Sequence, residues 1–534
     1  MIERQFNSIV LFLAALLAAS CSPRASDRQA RNIALSAVGS AAGGMALAEP
    51  AAPTTERPFV MGAASCASSG CHGLPLDGQR RDWPAAYAVW RQEDPHRRAF
   101  QVLYTERANE MYRNLNPNAK WSIDPPPDQE YLDFLNASCI GCHATGLVGR
   151  AAVATLEPED GSLFYLDGIG CESCHGPASA WLNSHYLESF SRSTPGFHDT
   201  KPLDLRAEVC VGCHVGPMIA ASGKPYDVTH DLIAAGHPRL AFEFASYLAN
   251  LPKHWNLAED VAQHQQQTRS AAFHSDAWAS GQEQFARQLV RQIELRLAAA
   301  KRAPTVSPWP DFANYQCLDC HHTIGLPGNS EQATTRTTGQ SGAPRPSIGP
   351  LTMLRIMSAG PGRASAEFDA AANKIEALLV ASWQTPVTRL AQPTTDELTF
   401  LTARGQPLLR LARQGRYRQQ ANWLLARLQL LKQYQRDSGP SPAGIRDWDE
   451  VLQLYLGASA LARDVEPQGS GPLHDALQPL GESLGRGSFQ RLGRPATQYD
   501  SPSDFDAGKV AAEFGNLEQV ISKLIPEASA TNQP

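Results

Sequence analysis

The chain has 534 residues, 43% hydrophobic and 19% charged, with a net charge of −6. That balance is globular, on the scale of two to four domains, and excludes wholesale disorder. No apolar run reaches the ~18 residues that would span a bilayer, and no global basic excess points to nucleic acid.

At the N-terminus, Arg4 opens a short charged region, and Ile9 to Ala19 form an apolar stretch too short for a bilayer but suited to an export signal. Ala18-Ala19-Ser20 then precede Cys21. This resembles a lipoprotein signal over residues 1–21, with Cys21 as the lipidated mature N-terminus and a membrane surface as a contact. A plain secretory peptide is the simpler reading. A later start is a third, because Arg28 and Arg31 precede an apolar run ending in Ala46-Leu47-Ala48. All three place the protein in the periplasm or otherwise outside the cytoplasmic membrane. Residues 22–58 read as a linker, rich in Pro and Ala towards their end.

The unusual counts are 11 Cys and 15 His. Cys21 aside, every Cys falls in a pair. Four pairs read C-x-x-C-H: Cys139/Cys142/His143, Cys171/Cys174/His175, Cys210/Cys213/His214 and Cys317/Cys320/His321. The first is wider, Cys66/Cys71/His72. The C-x-x-C-H string is the attachment signal for c-type haem. Two thiols add across the neighbouring vinyl groups of the porphyrin, and the next imidazole reaches the iron. Disulfides do not require a His after each second Cys. Zinc sites combine pairs instead of repeating a third His. Thioredoxin-like pairs do not come in fours. The sequence therefore predicts haem c, four firm sites and a fifth at Cys66/Cys71, for which a disulfide is the alternative.

Ten His remain once the five proximal ones are assigned. Nine of them lie in or beside residues 59–326, the predicted multihaem cytochrome c domain. That segregation marks second axial ligands. Iron with two His ligands suits electron transfer, whereas one open position suits chemistry. His237 precedes Pro238, and Leu240, Phe244, Leu248 and Leu251 follow at helical spacing, which predicts a helix starting at His237. His230 lies seven residues earlier. His96 precedes an amphipathic run with Phe100, Leu103 and Tyr104, and His185 follows His175 closely. His198, His254, His264 and His274 carry weaker signals. His254, beside Trp255 after a helix end, is explained as well by carbonyl capping.

The segments Cys139-Ile-Gly-Cys-His-Ala-Thr-Gly146, Gly170-Cys-Glu-Ser-Cys-His-Gly-Pro177, Val209-Cys-Val-Gly-Cys-His214 and Ala235-Gly-His-Pro-Arg-Leu240 resemble the multihaem cytochromes c related to cytochrome c554. The resemblance covers about half the chain. It implies a mostly helical, exported electron carrier with closely stacked haems, largely bis-His ligated, with room for one haem without a protein sixth ligand, as occurs in that group. By this likeness His96, His185, His230 and His237 are the preferred distal ligands. The wide first site, the long gap between His214 and Cys317, and a large C-terminal region depart from the tetrahaem pattern.

Within that gap Phe285, Leu289, Ile293 and Leu297 recur every fourth residue, an amphipathic helix. Residues 327–350 are rich in Gly, Ser, Thr and Pro and read as a linker. Residues 351–534 read as a C-terminal helical bundle, with helices near 365–382, 394–413, 417–436, 446–463 and 506–524, and irregular chain over 465–503. Between Arg404 and Arg436 the chain has Arg and Lys but no Asp or Glu. This is a solvated basic face or a docking surface for an acidic partner.

The expected fold class is mainly α: a cytochrome domain of short helices and loops wrapped around haems, then a helical bundle. The expected function is electron transfer along closely packed covalent haems, with redox proteins as partners. The alternative is an oxidoreductase acting on a small nitrogen or sulfur compound at one open-site haem. Enzymatic activity is left open, and no catalytic residue is assigned.

Overall fold

The computed structural model describes residues 58–76, 82–118, 129–145, 167–219, 225–268, 270, 272–304, 307, 309–320, 344–358, 363–383, 385–390, 448–484 and 507–524. Among them the protein is mainly α. A single two-stranded sheet pairs β1 (Met218–Ile219) antiparallel with β2 (Pro225–Tyr226), placing Met218 opposite Tyr226. No helix among the described residues is long and apolar enough to cross a membrane.

Up to about residue 250 the helices are short: α1 (Ala86–Gln92), α2 (Glu106–Leu115), α3 (Gln129–Ser138), α4 (Ile140–His143), α5 (Cys171–His175), α6 (Leu203–His214), α7 (His230–Ala235) and α8 (Phe244–Asn250). Such pieces bury little on their own. Here Tyr112 of α2, Tyr131 and Leu135 of α3, Ile140 of α4 and Tyr226 of β2 form a local apolar cluster. Tyr112 and Tyr131 meet edge to face at 5.0 Å.

Longer helices follow: α9 (Leu257–Thr268) and α10 (Phe273–Arg302), then the short α11 (Cys317–Cys320), α12 (Gly349–Ser358), α13 (Arg363–Ala381), α14 (Trp448–Val465), α15 (Pro472–Ser483) and α16 (Ala507–Leu524). The 30-residue α10 is the spine. Its predicted stripe is buried at Leu289, Ile293 and Leu297. It packs on α6 and α8 on one side and on α12 and α14 on the other. One apolar cluster accordingly runs from Leu203 to Ile521. Gly457 of α14 lies so close to the Trp278 ring that a β-carbon there would meet it at 2.8 Å. Asp464 of α14 accepts from the amides of His274 and Ser275 at 3.0 and 2.8 Å and from the Ser275 hydroxyl at 2.7 Å. It thereby caps the N-terminus of α10 from another helix.

Two expectations need correction. The helix predicted to begin at His237 begins at Phe244, where the Glu243 carboxylate accepts from the amides of Ala245 and Ser246 at 2.7 Å each. His237 instead sits just past the end of α7. Gly236, at φ 123°, makes the turn there that residues with side chains resist. In the 465–503 stretch, expected to be irregular, α15 buries Leu473, Leu477 and Leu480 on one face. Pro472 sits in its first turn, where proline is tolerated, so the Gly/Pro content misled. The helices expected at 394–413 and 417–436, and the basic stretch with them, lie outside the described residues.

Candidate metal centre

Each described Cys-His string sits at a helix end or tight turn. Cys139 precedes α4, which closes at His143; α5 spans Cys171 to His175; Cys210 to His214 form the last turn of α6. Cys66 ends a 3-10 turn (Ala63–Cys66), and Cys71 and His72 lie in the turn that follows. In the α-helical strings both thiols and the imidazole fall within about one turn. The ten described cysteines are free thiols.

Four proximal imidazoles each meet a second imidazole. His72 faces His185 with ring centroids 6.0 Å apart, His214 faces His96 at 5.9 Å, His143 faces His237 at 6.4 Å, and His175 faces His254 at 6.2 Å. Two nitrogens bound at about 2 Å on opposite sides of one metal, plus both ring radii, give roughly 6 Å between centroids. The partners come from distant chain segments, yet the spacing varies by only half an ångström.

The hydrogen bonds of the ring nitrogens point the same way. His72 Nδ1–H donates to the Trp83 carbonyl at 2.8 Å, His143 to Ala99 at 2.8 Å, His185 to Leu182 at 2.9 Å and His237 to Pro238 at 2.7 Å. His96 Nδ1 donates to Asp94 at 2.9 Å. A proton fixed on Nδ1 leaves the Nε2 lone pair free, the arrangement usual in metal-binding histidines. Burial holds His143, His237 and His254 below the usual imidazole range, His237 at about 4. It takes His175 to about 3 and His214 to about 4, with neighbouring imidazoles adding to the effect. The neutral ring is the ligand form.

Between these rings lies a cavity of about 1770 Å³. Ligand pockets usually hold about 300–1,000 Å³, so this one has room for more than one group. Its walls carry all eight cysteines of the first four strings and all eight paired histidines. Burial pushes the Cys174 and Cys210 thiols up to about 12, a sign of apolar surroundings. Thiols of different strings touch, Cys66 against Cys171 and Cys142 against Cys213. No three His, Cys, Asp or Glu side chains among the described residues converge as a metal site by themselves. Each histidine pair could supply two nitrogens to one metal held between the rings. The residues fit thioether-linked haem.

Three of the four distal histidines singled out from the sequence, His96, His185 and His237, lie opposite proximal ones. The fourth, His230, starts α7; its amide donates to Asp311 at 3.2 Å and its ring meets Phe312 at 5.5 Å, in the segment that leads into α11. His321 itself lies outside the described residues. His254, a weaker signal in the sequence, faces His175 across the cavity. Its neighbour Trp255 is braced by Arg206, which lies over the indole ring at 5.4 Å and pairs with Asp260 at 2.8 Å.

Residues 65–176 match the family model described as cytochrome c554 and c-prime. This segment is cytochrome c554-related. Over 109 residues the chain is 28% identical to cytochrome c-554 of Nitrosomonas europaea, covering 19% of this chain and 44% of that protein. The likeness thus spans less than half of that relative's length. No solved structure matches the chain. The matched segment contains the first three Cys-His strings and one of the paired second histidines, His96. His185, His237, His254 and the fourth and fifth strings lie beyond it.

Proposed function

We propose that this protein is an exported multihaem c-type cytochrome that passes electrons along closely packed covalent haems. One observation carries the reading: four proximal histidines each face a second histidine at 5.9–6.4 Å across one shared cavity. If these pairs held haem iron, two imidazoles on each of four irons would suit electron transfer and leave those irons no open position for a substrate. Haem supplies a one-electron iron couple when bound. The chain attaches each ring through its cysteines, fixes the axial imidazoles and excludes water.

In this reading the haems attach at Cys66/Cys71, Cys139/Cys142, Cys171/Cys174, Cys210/Cys213 and Cys317/Cys320. The proximal ligands are His72, His143, His175, His214 and His321. His185, His237, His254 and His96 are the distal ligands of the first four in that order, and His230 is the distal candidate for the fifth. Residues 59–326 form the haem-bearing part and 351–534 the helical part behind it. The N-terminal signal directs the chain out of the cytoplasm, with Cys21 as the site of a lipid anchor, and redox proteins are the partners.

The test is intact-mass analysis of the mature protein combined with ferric EPR. Five added haems with low-spin signals support the reading. A mass without tetrapyrrole overturns it. A high-spin signal with CO binding in the protein as isolated favours the alternative, chemistry on a small nitrogen or sulfur compound.

A further inference from the structure

Glu172 stands inside the third Cys-His string, next to Cys171, and its side chain is buried. Oε1 accepts from the Met61 amide at 2.9 Å and from the Ala178 amide at 2.7 Å. Oε2 accepts from Gly62 at 2.7 Å and from Met61 at 3.0 Å. Burial raises the Glu172 carboxyl above its usual value, but all four contacts are N–H donors, which favour the carboxylate and pull the other way. No cation pairs with it among the described residues. Its nearest charged neighbour of note is another carboxylate, Asp167, which accepts from the Ala63 amide at 3.3 Å and is partly offset by Arg97 and Arg91.

The carboxylate therefore ties the chain entering the first string to the third string. The join is tight, because the Cys66 and Cys171 thiols touch, and both feel the Glu172 charge. A buried negative charge favours the oxidised, more positive iron over the reduced one, and low polarity around it strengthens the effect.

We propose that Glu172 is a positioning and tuning residue: it clamps the first haem site onto the third and, as a fixed anion, lowers the reduction potential of both. The proposal rests on the multihaem reading above. It makes the Cys66/Cys71 and Cys171/Cys174 haems the low-potential pair relative to the same sites without that charge.

The experiment is a spectropotentiometric titration of Glu172→Gln, which keeps the shape and one acceptor oxygen but removes the charge. Expected are an upward shift in the midpoints of two haems, with the others unmoved and five haems still counted by mass. Should Glu172→Gln fail to accumulate, Asp167→Asn makes a milder probe, with one 3.3 Å bond at stake. It should raise the same midpoints by less, because Arg97 and Arg91 already offset that charge. Unchanged midpoints in a fully loaded variant, or an equal shift at every haem, overturn the proposal. Absence of haem from the wild-type protein would instead overturn the multihaem reading.

Discussion

His254 faces His175 with ring centroids 6.2 Å apart and ring planes at 75°. His175 ends α5, whereas His254 sits just beyond α8, and Arg206 and Asp260 hold its neighbour Trp255 in place. The contact exists because the chain folds back over the cavity, not because the two residues are near in sequence.

His254→Ala should leave the iron at His175 with one protein ligand. One haem is expected to become high-spin and to bind CO, while the haem count by mass stays the same. Ferric EPR of the variant checks this. An all-low-spin spectrum indistinguishable from wild type would mean that His254 is not an axial ligand.

His237→Met should raise the midpoint potential of one haem without loss of covalent attachment, since a thioether ligand favours ferrous iron more than imidazole does. The Arg107 guanidinium donates to the Gly236 carbonyl and the Asn114 amide to that of Ala235 at 3.1 Å, so the segment carrying residue 237 is held independently of its side chain. A redox titration checks this, and an unchanged midpoint would remove His237 from the ligand set.

The Cys-His strings were legible because the chemistry of haem attachment, which they are proposed to serve, demands local sequence. Distal ligands were only partly legible. His96, His185 and His237 were singled out through resemblance and neighbouring residues, whereas the pairing of His254 with His175 was hidden, since such a contact needs only a position in space. The backbone acceptors that fix Nδ1, such as the Ala99 carbonyl under His143, have no sequence signature at all. The same holds for the fold. The stripe of α10 was visible because its period is 3.6. The true start of α8 was obscured by Pro238 at a plausible first-turn position, and α15 by its glycines and prolines.

Glu450 gives the structure a pH dependence away from the haem cavity. Burial raises its carboxyl to about 7; the Thr352 hydroxyl, which donates to it at 2.7 Å, and Arg345 oppose, while Asp449 and Glu376 push it further up. An acid raised on folding stabilises the fold fully below its unfolded value of 4.5, and that contribution is lost as pH rises through about 7. The amount at stake is ~3 kcal/mol at most. Chemical denaturation of Glu450→Gln should accordingly show a flatter decline in stability over this window than wild type. Equal slopes would show that Glu450 is not the group responsible.

Asp464 tests the joint between α14 and α10. Above its raised pKa of about 6 the carboxyl is ionised and accepts from two amides and a hydroxyl at the α10 N-terminus. Asp464→Ala leaves those donors without their partner, and losing such a cap costs about 0.5–2 kcal/mol. A lower melting temperature is expected, with haem content and axial spin state unaltered, because residues 273–275 ligate no iron in this reading. Thermal melts followed by far-UV circular dichroism, beside the Soret spectrum, separate the two effects. If the melting temperature holds while the haem spectrum changes, the cap acts on the haem-bearing part and not on the helical joint.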